Sequence, residues 1–275
     1  MSSANKHKEG LFQRIYRIEH DTPGLSAETW ADLQPVKRIQ LAGRELVLNQ
    51  PSSTFWVYAL GLLTCAVGQI YWLNADGDSV RQLWSIGLWL WGIGALLAGT
   101  SYQALGYHLK CHNGRVRWTN WWETIYMIFQ QLSINVLLSA TALSSTEGSL
   151  RTALLVAALV ISVVYTLVTL TAALIPNRHL LSFEWMSLVS APPVFVMLLI
   201  NSWNAIVRGI FSEALLALVW IGLLLCMLAF WLYMRSGLTS RLWQRKRWFS
   251  ENDVLHVTLI IWVIYIAAIL PYVSL

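Results

Sequence analysis

Two histidines four residues apart, His108 and His112, end a long apolar stretch of the chain, and Cys111 lies between them. Residues four apart share one face of an α-helix, so both imidazoles could bind the same metal ion. Ser101 lies seven residues before His108 and would therefore lie on the same stripe of a regular helix. The spacing predicts one side of a metal site, which another helix would have to complete.

Acidic and imidazole side chains near the starts of later apolar stretches are candidates for the other side. Glu123 lies at the start of the next stretch, and Asp253 and His256 lie at the start of the last one. His256 would supply a third nitrogen ligand. Glu123 or Asp253 would act as a general base or hold a metal-bound water. These residues predict a zinc-dependent hydrolase.

Other interpretations of the same residues stay open. A histidine pair alone is a weak motif. The frayed end of a helix could equally place His108, Cys111 and His112 in solvent without any metal. Asn252 or Asp253 is typical of a helix N-cap, and His256 of a hydrogen-bonded packing residue. Histidines from two helices, His108 and His256, could alternatively ligate a haem.

The elements that must position these residues are membrane helices. Of the 275 residues, 56% are hydrophobic and 12% are charged, whereas a soluble domain has about 25% charged residues. Apolar runs near the roughly 18-residue threshold for a membrane span recur along the chain. The sequence predicts an all-α, polytopic membrane protein with seven transmembrane helices, the fifth kinked at Pro192 and Pro193. The predicted spans are 55–73, 83–105, 121–143, 152–175, 180–200, 210–234 and 254–272.

Basic residues predict the orientation of these spans. Of the 19 lysines and arginines, all except Arg81, Arg151 and Arg208 fall on the side that also carries the N-terminus. Because cytoplasmic loops retain basic residues, we expect a cytoplasmic N-terminus and an outside C-terminus. The formal charge of +5 follows from this topology and from anionic lipid headgroups, so the expected partner is the lipid bilayer and no nucleic acid is expected.

Residues 1–54 are predicted to form a cytoplasmic N-terminal segment, separate from the transmembrane domain of residues 55–275. A short basic amphipathic helix on the membrane surface is expected near its start. A short helix capped by Ser26 and a hairpin around Ala42 and Gly43 should follow. The apolar face of the amphipathic helix comprises Leu11, Phe12, Ile15 and Tyr16.

Polar and small residues inside the spans have expected structural roles. Interhelical hydrogen bonds are the default use of Gln130, Gln131, Ser133 and Asn135 in the third span. Spans four and six have no ionisable residue in their middles and should face lipid or serve only as structure. Close helix approach, within one chain or between chains, is permitted by Gly92, Gly94 and Gly99.

The arrangement resembles the seven-helix CREST superfamily, which includes alkaline ceramidases and progestin and adipoQ receptors. The resemblance covers residues 55–275 through topology, with the segments "AGTSYQALGYH" and "NDVLHV" closest to bacterial members. It implies a catalytic zinc and the hydrolysis of a lipid amide or related membrane substrate. By this resemblance Ser101 and His108 match the superfamily's serine and histidine near the end of span two. Glu123 matches its acidic residue in span three, and His256 matches the first of its two histidines in span seven.

Two positions depart from the superfamily pattern. A histidine is expected four residues after Ser101, where this chain has Leu105, and another four after His256, where it has Ile260. A site with three nitrogen ligands then requires His112 as a replacement. The alternative is a degenerate, non-catalytic membrane protein that binds a lipid or protein partner.

Overall fold

Seven long helices dominate the computed structural model, which describes residues 10–20, 22, 24–112, 115–269 and 272, and only the backbone of His112. Each is long and apolar enough to cross a membrane, which confirms the predicted number of helices that could span one. Their lengths and composition indicate a multi-pass membrane protein. The helices are α1 Pro51–Leu73, α2 Ser79–Ala98, α3 Trp121–Ser145, α4 Gly148–Leu174, α5 Phe183–Val207, α6 Phe211–Ser236 and α7 Glu251–Ile269.

Six of these helices enclose the interior of the molecule. α1, α2, α3, α5, α6 and α7 each pack on the next in that order, and α7 packs on α1. α4 lies outside this ring against α3, in keeping with its expected lipid-facing role. α6 is part of the wall, since Val219 and Trp220 are fully buried.

Glycines bring α1 and α2 close together within the chain. A Cβ atom at Gly92 would lie 2.8 Å from the carbonyl oxygen of Gly61 and 2.5 Å from Sγ of Cys65. A Cβ atom at Gly99 would collide with Val57. These glycines therefore serve contacts between neighbouring helices of one chain.

α2 does not continue as a regular helix to its end. Gly99–Ala104 forms a π-helical turn, in which the Leu105 N–H donates to the Thr100 carbonyl at 2.8 Å. A short helix, Gly106–Lys110, and a strand, β3 Cys111–His112, follow. β3 pairs with β4 Arg115–Val116. Ser101, His108 and His112 therefore do not share one helical stripe, and the expectation based on regular spacing was wrong.

The N-terminal segment contains the predicted hairpin. β1 Val36–Leu41 pairs antiparallel with β2 Arg44–Asn49, and Ala42 and Gly43 form the turn with φ of 49° and 74°. Short helices precede it at Leu11–Arg17, which is a 3₁₀ helix, and at Trp30–Leu33. The prediction that Ser26 caps the second of these helices was wrong, because Thr29 precedes Trp30 and Ser26 Oγ accepts from the Thr29 N–H in the turn before the helix. Gln50 links β2 to α1, and the Pro51 ring starts α1.

This segment packs on one end of the bundle, which we call the hairpin end; the opposite end is the far end. α1, α3, α5 and α7 begin at the hairpin end. Ile15 is fully buried in a cluster with Met127 of α3 and Tyr165 of α4, whereas Phe12 stays 68% exposed. The indole N–H of Trp121 donates to the Phe12 carbonyl at 2.9 Å. The predicted apolar face is therefore split between the bundle and the surface.

Candidate functional site

A closed polar network joins the end of α2 to the start of α3. The Ser101 hydroxyl donates to Oε1 of Glu123 at 2.8 Å and accepts from Nδ2 of Asn120 at 2.6 Å. Nζ of Lys110 lies 2.6 Å from the same Glu123 oxygen. The Lys110 and Glu123 side chains are 8% and 1% exposed, so this ion pair is internal. We call these four residues the Glu123 network.

Local structure explains how the network forms. Asn120 caps α3, because its Oδ1 accepts from the N–H groups of Trp122 and Glu123, which leaves Nδ2 free to donate to Ser101. The Lys110 ammonium also donates to the Trp118 carbonyl at 3.3 Å. It lies 4.6 Å from the Tyr102 ring centroid, a cation–π contact. Each polar group therefore fixes the position of the next.

The sequence singled out Ser101 and Glu123 of this network, and Lys110 was missed. A lysine at the end of a span usually extends to water, so nothing marked it as a buried partner. The available signal was an acidic residue at the start of the following span, across a short connection. The Glu123 network ties α2 to α3, and Oε2 of Glu123 is its only carboxylate oxygen without a hydrogen-bond partner in the described chain.

His108 is engaged with the hairpin. Its Nε2 accepts a hydrogen bond from the Val47 N–H of β2 at 2.9 Å. Its ring also packs edge-to-face on Tyr107, with centroids 5.4 Å apart. The structure thus uses His108 to hold the N-terminal segment against the short helix after α2.

Asp253 joins the starts of α1 and α7. Its carboxylate accepts from the hydroxyls of Ser52 at 2.6 Å and Ser53 at 3.0 Å. It also accepts from both the N–H and the hydroxyl of Ser250, the residue before α7, as in a capping box. The N-cap prediction was wrong, because α7 begins at Glu251 and Asp253 lies inside its first turn. The Asp253 carboxylate instead accepts from Ser250, which precedes the helix, and ties α7 to Ser52 and Ser53 of α1.

The residues predicted to bind zinc do not form a metal site where the structure describes them. Within those residues, no group of three His, Cys, Asp or Glu side chains is placed to hold one ion. Ser101 and Glu123 meet, whereas His108 and Asp253 bind separate partners. The side chain of His112 lies outside the described residues. The described side chains therefore do not form a three-ligand zinc site, and the zinc and haem centres both stay predictions.

Cys111, next to Lys110, does not supply the missing ligand. Burial raises the pKa of its thiol to about 11, although the positive charge of Lys110 acts in the opposite direction. A cysteine binds metal as the thiolate, which this burial disfavours. Cys111 also belongs to no group of three possible metal ligands among the described residues.

A cavity of about 330 Å³ lies inside the helical ring. All six ring helices line it, with mostly apolar side chains that include Leu60, Trp91 and Met186. On α7 the lining residues lie between Leu255 and Leu259, near the start of that helix, so the cavity is in the half of the bundle nearer the hairpin end. Its polar lining residues are Tyr126, Gln130, Ser187, Ser190 and His256.

His256 and Gln130 differ from the polar side chains of the Glu123 network. His256 is 8% exposed, and its Nδ1 has no hydrogen-bond partner among the described residues. Gln130, also 8% exposed, makes no side-chain hydrogen bond within the described part of the chain and packs over Gly94. Both polar side chains contact the cavity without being committed to the protein.

The other polar residues of α3 bind neighbouring helices, as expected. Ser133 donates to the Gly87 carbonyl of α2 at 2.7 Å, and Asn135 donates to Ser162 of α4 at 3.0 Å. Gln131 accepts from the Ser190 hydroxyl of α5 at 2.6 Å. These interhelical hydrogen bonds confirm the default interpretation for this group, with Gln130 as the exception.

The two prolines of α5 lie between residues that line the cavity. α5 continues through Pro192 and Pro193 as one helix, and the flanking residues Ala191 and Val194 line the cavity, whereas neither proline is among the lining residues. Helix-interrupting residues are tolerated in membrane helices where neighbouring groups satisfy the freed backbone.

Aromatic rings separate the cavity from the Glu123 network. Tyr126 lines the cavity and packs edge-to-face on Tyr102, with centroids 6.1 Å apart. Tyr102 in turn contacts the Lys110 ammonium. The ion pair thus lies behind a layer of tyrosines and outside the cavity lining.

A second cluster of buried polar residues, which the sequence did not reveal, lies at the far end. Nδ2 of Asn201 donates to Oε2 of Glu213, and the Trp220 indole donates to Oδ1 of Asn201 at 2.7 Å. Asn204 donates to the Ser145 carbonyl at 2.7 Å. The sequence feature that could have predicted this cluster is the pair Asn201 and Asn204, three residues apart in α5. An acidic residue, Glu213, follows in the first turn of α6. These contacts join α3, α5 and α6.

No family model, curated protein or solved structure matches the chain. The resemblance to the CREST superfamily therefore stays a prediction.

Proposed function

We propose that this protein is a non-catalytic membrane protein that binds a lipid or similar hydrophobic molecule in the cavity between its helices. The observation that supports this proposal is the cavity itself, which is apolar, lies within the membrane-spanning helices and has a volume of about 330 Å³. Ligand pockets typically have volumes of about 300–1,000 Å³, whereas packed interiors contain few voids larger than a water molecule.

The placement of the candidate catalytic residues favours binding over hydrolysis. His108, Glu123 and Asp253 each make hydrogen bonds or ion pairs that hold two segments together. A zinc-dependent hydrolase of a lipid amide would need these side chains to leave those partners. Stoichiometric zinc in the purified protein, lost in His108→Ala and His256→Ala, would favour the hydrolase instead.

We also propose that the hairpin end faces the cytoplasm in a bacterial inner membrane. Among the described lysines and arginines, only Arg81, Arg151 and Arg208 lie at the far end, and cytoplasmic loops retain basic residues. A periplasmically active reporter fused after Leu275 should then be active. A reporter active only in the cytoplasm would contradict this orientation.

Photolabelling tests the binding proposal directly. A straight-chain lipid with a diazirine at the end of its chain is incubated with the protein in lipid nanodiscs and irradiated. Mass spectrometry should find labels on cavity-lining residues such as Met186 and Leu259. Ala95→Phe, which fills the cavity, should remove these labels, and the outward-facing control Leu167→Phe should keep them. Labels confined to lipid-facing residues in all three proteins would refute the proposal.

A further inference from the structure

We infer that the cavity selects a single-chain lipid whose polar group is one uncharged hydroxyl, and that His256 holds this hydroxyl. The inference rests on the proposed binding function and adds the chemical class of the ligand. It follows from the uncommitted polar atoms, from the charges absent in the described lining, and from the size of the cavity.

The first observation is the unsatisfied imidazole of His256. Nδ1 is buried and has no partner among the described residues. The large majority of buried side-chain polar atoms in proteins have at least one hydrogen-bond partner, so an orphaned atom that lines a cavity points to a missing one. A hydroxyl can both donate and accept, and it therefore suits an imidazole in either neutral tautomer.

The Gln130 amide provides a second polar group in the same cavity. It has both donors and an acceptor, and none of them makes a hydrogen bond within the described chain. In an otherwise apolar lining, a few polar groups fix the orientation of a ligand. His256 on α7 and Gln130 on α3 are thus two lining groups that a ligand could bind by hydrogen bonds.

The charge of the lining excludes ionised headgroups. None of the described residues that line the cavity is Lys, Arg, Asp or Glu. Lys110, the cation beyond the tyrosine layer, is already paired with Glu123. A buried phosphate, carboxylate or ammonium without a counter-charge is strongly disfavoured. An uncharged polar group that forms a hydrogen bond in the cavity avoids the cost of burying an unpaired charge.

The dimensions of the cavity fit one chain. On α5 the lining runs from Phe183 to Val194, about 16 Å at 1.5 Å per residue. This length is about half of the roughly 30 Å hydrocarbon core of a bilayer. The volume lies at the small end of the range for ligand pockets. A single alkyl chain of moderate length fills such a space, and a two-chain phospholipid does not.

The test compares three headgroups on one chain. Straight fourteen-carbon probes with a terminal diazirine carry a hydroxyl, a carboxylate or a phosphate monoester at the other end. Each is incubated at pH 8 with the wild-type protein in nanodiscs and irradiated, and the labels on lining residues are quantified by mass spectrometry. We expect the alcohol to label the lining at least about tenfold more than either anion, the ratio that one unsatisfied buried polar group typically produces.

Variants of His256 identify the group that holds the hydroxyl. His256→Phe keeps the ring but removes both nitrogens, and it should reduce labelling by the alcohol about tenfold. His256→Gln retains hydrogen bonding and should restore much of it. The matched control His179→Phe changes an exposed histidine outside the cavity and should label as wild type.

The outcomes separate the two proposals. Equal labelling of the lining by all three probes would overturn the headgroup inference and leave the binding function intact. Full labelling of His256→Phe by the alcohol would overturn the assignment of His256. Labels absent from the lining with every probe would refute the binding function itself. The headgroup comparison uses only the wild-type protein and therefore holds even if a variant fails to fold.

Discussion

The Glu123 network and the cavity wall lie at the same end of the bundle and treat polar side chains in opposite ways. In the network, Ser101, Lys110 and Asn120 all bind partners supplied by the protein, around a carboxylate that is 1% exposed. In the cavity wall, His256 and Gln130 are also buried, yet no partner for them exists among the described residues.

The contrast separates residues that hold the fold together from residues that await a ligand. Buried polar groups that satisfy one another make the structure rigid and specific. A buried polar group without a partner destabilises the unliganded protein. A ligand that supplies the missing hydrogen bond removes this cost. Substitutions in the two regions should therefore have opposite effects on stability and on binding.

The largest expected effect is that of Lys110→Met. It leaves the buried Glu123 carboxylate without a cation, which should lower the free energy of unfolding by about 3–5 kcal/mol. Thermal unfolding of the purified protein, followed by tryptophan fluorescence, measures the change. The double variant with Glu123→Met should recover much of the stability. Arg115→Met, which breaks an exposed ion pair with Glu19, should change it by about 0–1 kcal/mol. A stable Lys110→Met protein would contradict the internal ion pair.

Ser101→Ala should have an intermediate effect. It removes a donor to Glu123 and an acceptor for Asn120, and the expected loss is about 1–3 kcal/mol. Ser187→Ala is the matched control, because the Ser187 hydroxyl lines the cavity and makes no hydrogen bond within the described residues. Equal losses in the two variants, measured by the same unfolding assay, would remove the distinction between network and cavity wall.

His256→Phe should change stability little. No described residue loses a hydrogen bond when Nδ1 is removed, so unfolding should stay within about 1 kcal/mol of wild type or shift upward. Lipid photolabelling of the same variant should fall, as described above. A loss of several kcal/mol would show that the imidazole has a structural partner and would weaken its assignment to a ligand.

The smallest expected effect is on the reactivity of the Cys111 thiol, which follows Lys110 of the Glu123 network. Since burial raises the pKa of the Cys111 thiol to about 11, its thiolate fraction should be small at pH 7 and should rise about tenfold per pH unit towards that value. The rate of maleimide alkylation against pH, in a variant with Cys65 and Cys226 replaced by Ala, measures this. A rate that levels off near pH 9 would indicate that the loop is open to water.

Much of the fold was predictable because long apolar runs and a turn at Gly43 are local signals. Seven spans and the hairpin follow from them, although the boundaries move: α1 starts at Pro51, before the predicted residue 55, and α5 extends to Val207, beyond residue 200. Capping residues and a proline at the first helical position, such as Pro51, set these ends.

The candidate site was less predictable, because it depends on irregular structure and on long-range pairing. The π-helical turn Gly99–Ala104 changes the direction of Ser101 relative to His108, and a regular 3.6-residue period cannot reveal it. The bond between His108 and Val47 joins residues 61 positions apart. Lys110 and Glu213 were missed because their partners, Glu123 and Asn201, come together only through helix packing.

The most direct test of the central claim is the thermal stability of the protein in nanodiscs with and without 1-tetradecanol. A ligand that binds only the folded state stabilises it by about 2.7 kcal/mol at one hundred times its Kd. The wild-type unfolding temperature should therefore rise with added alcohol, and that of the cavity-filled Ala95→Phe variant should not. Equal shifts in both proteins, or none in the wild type, would contradict ligand binding in the cavity.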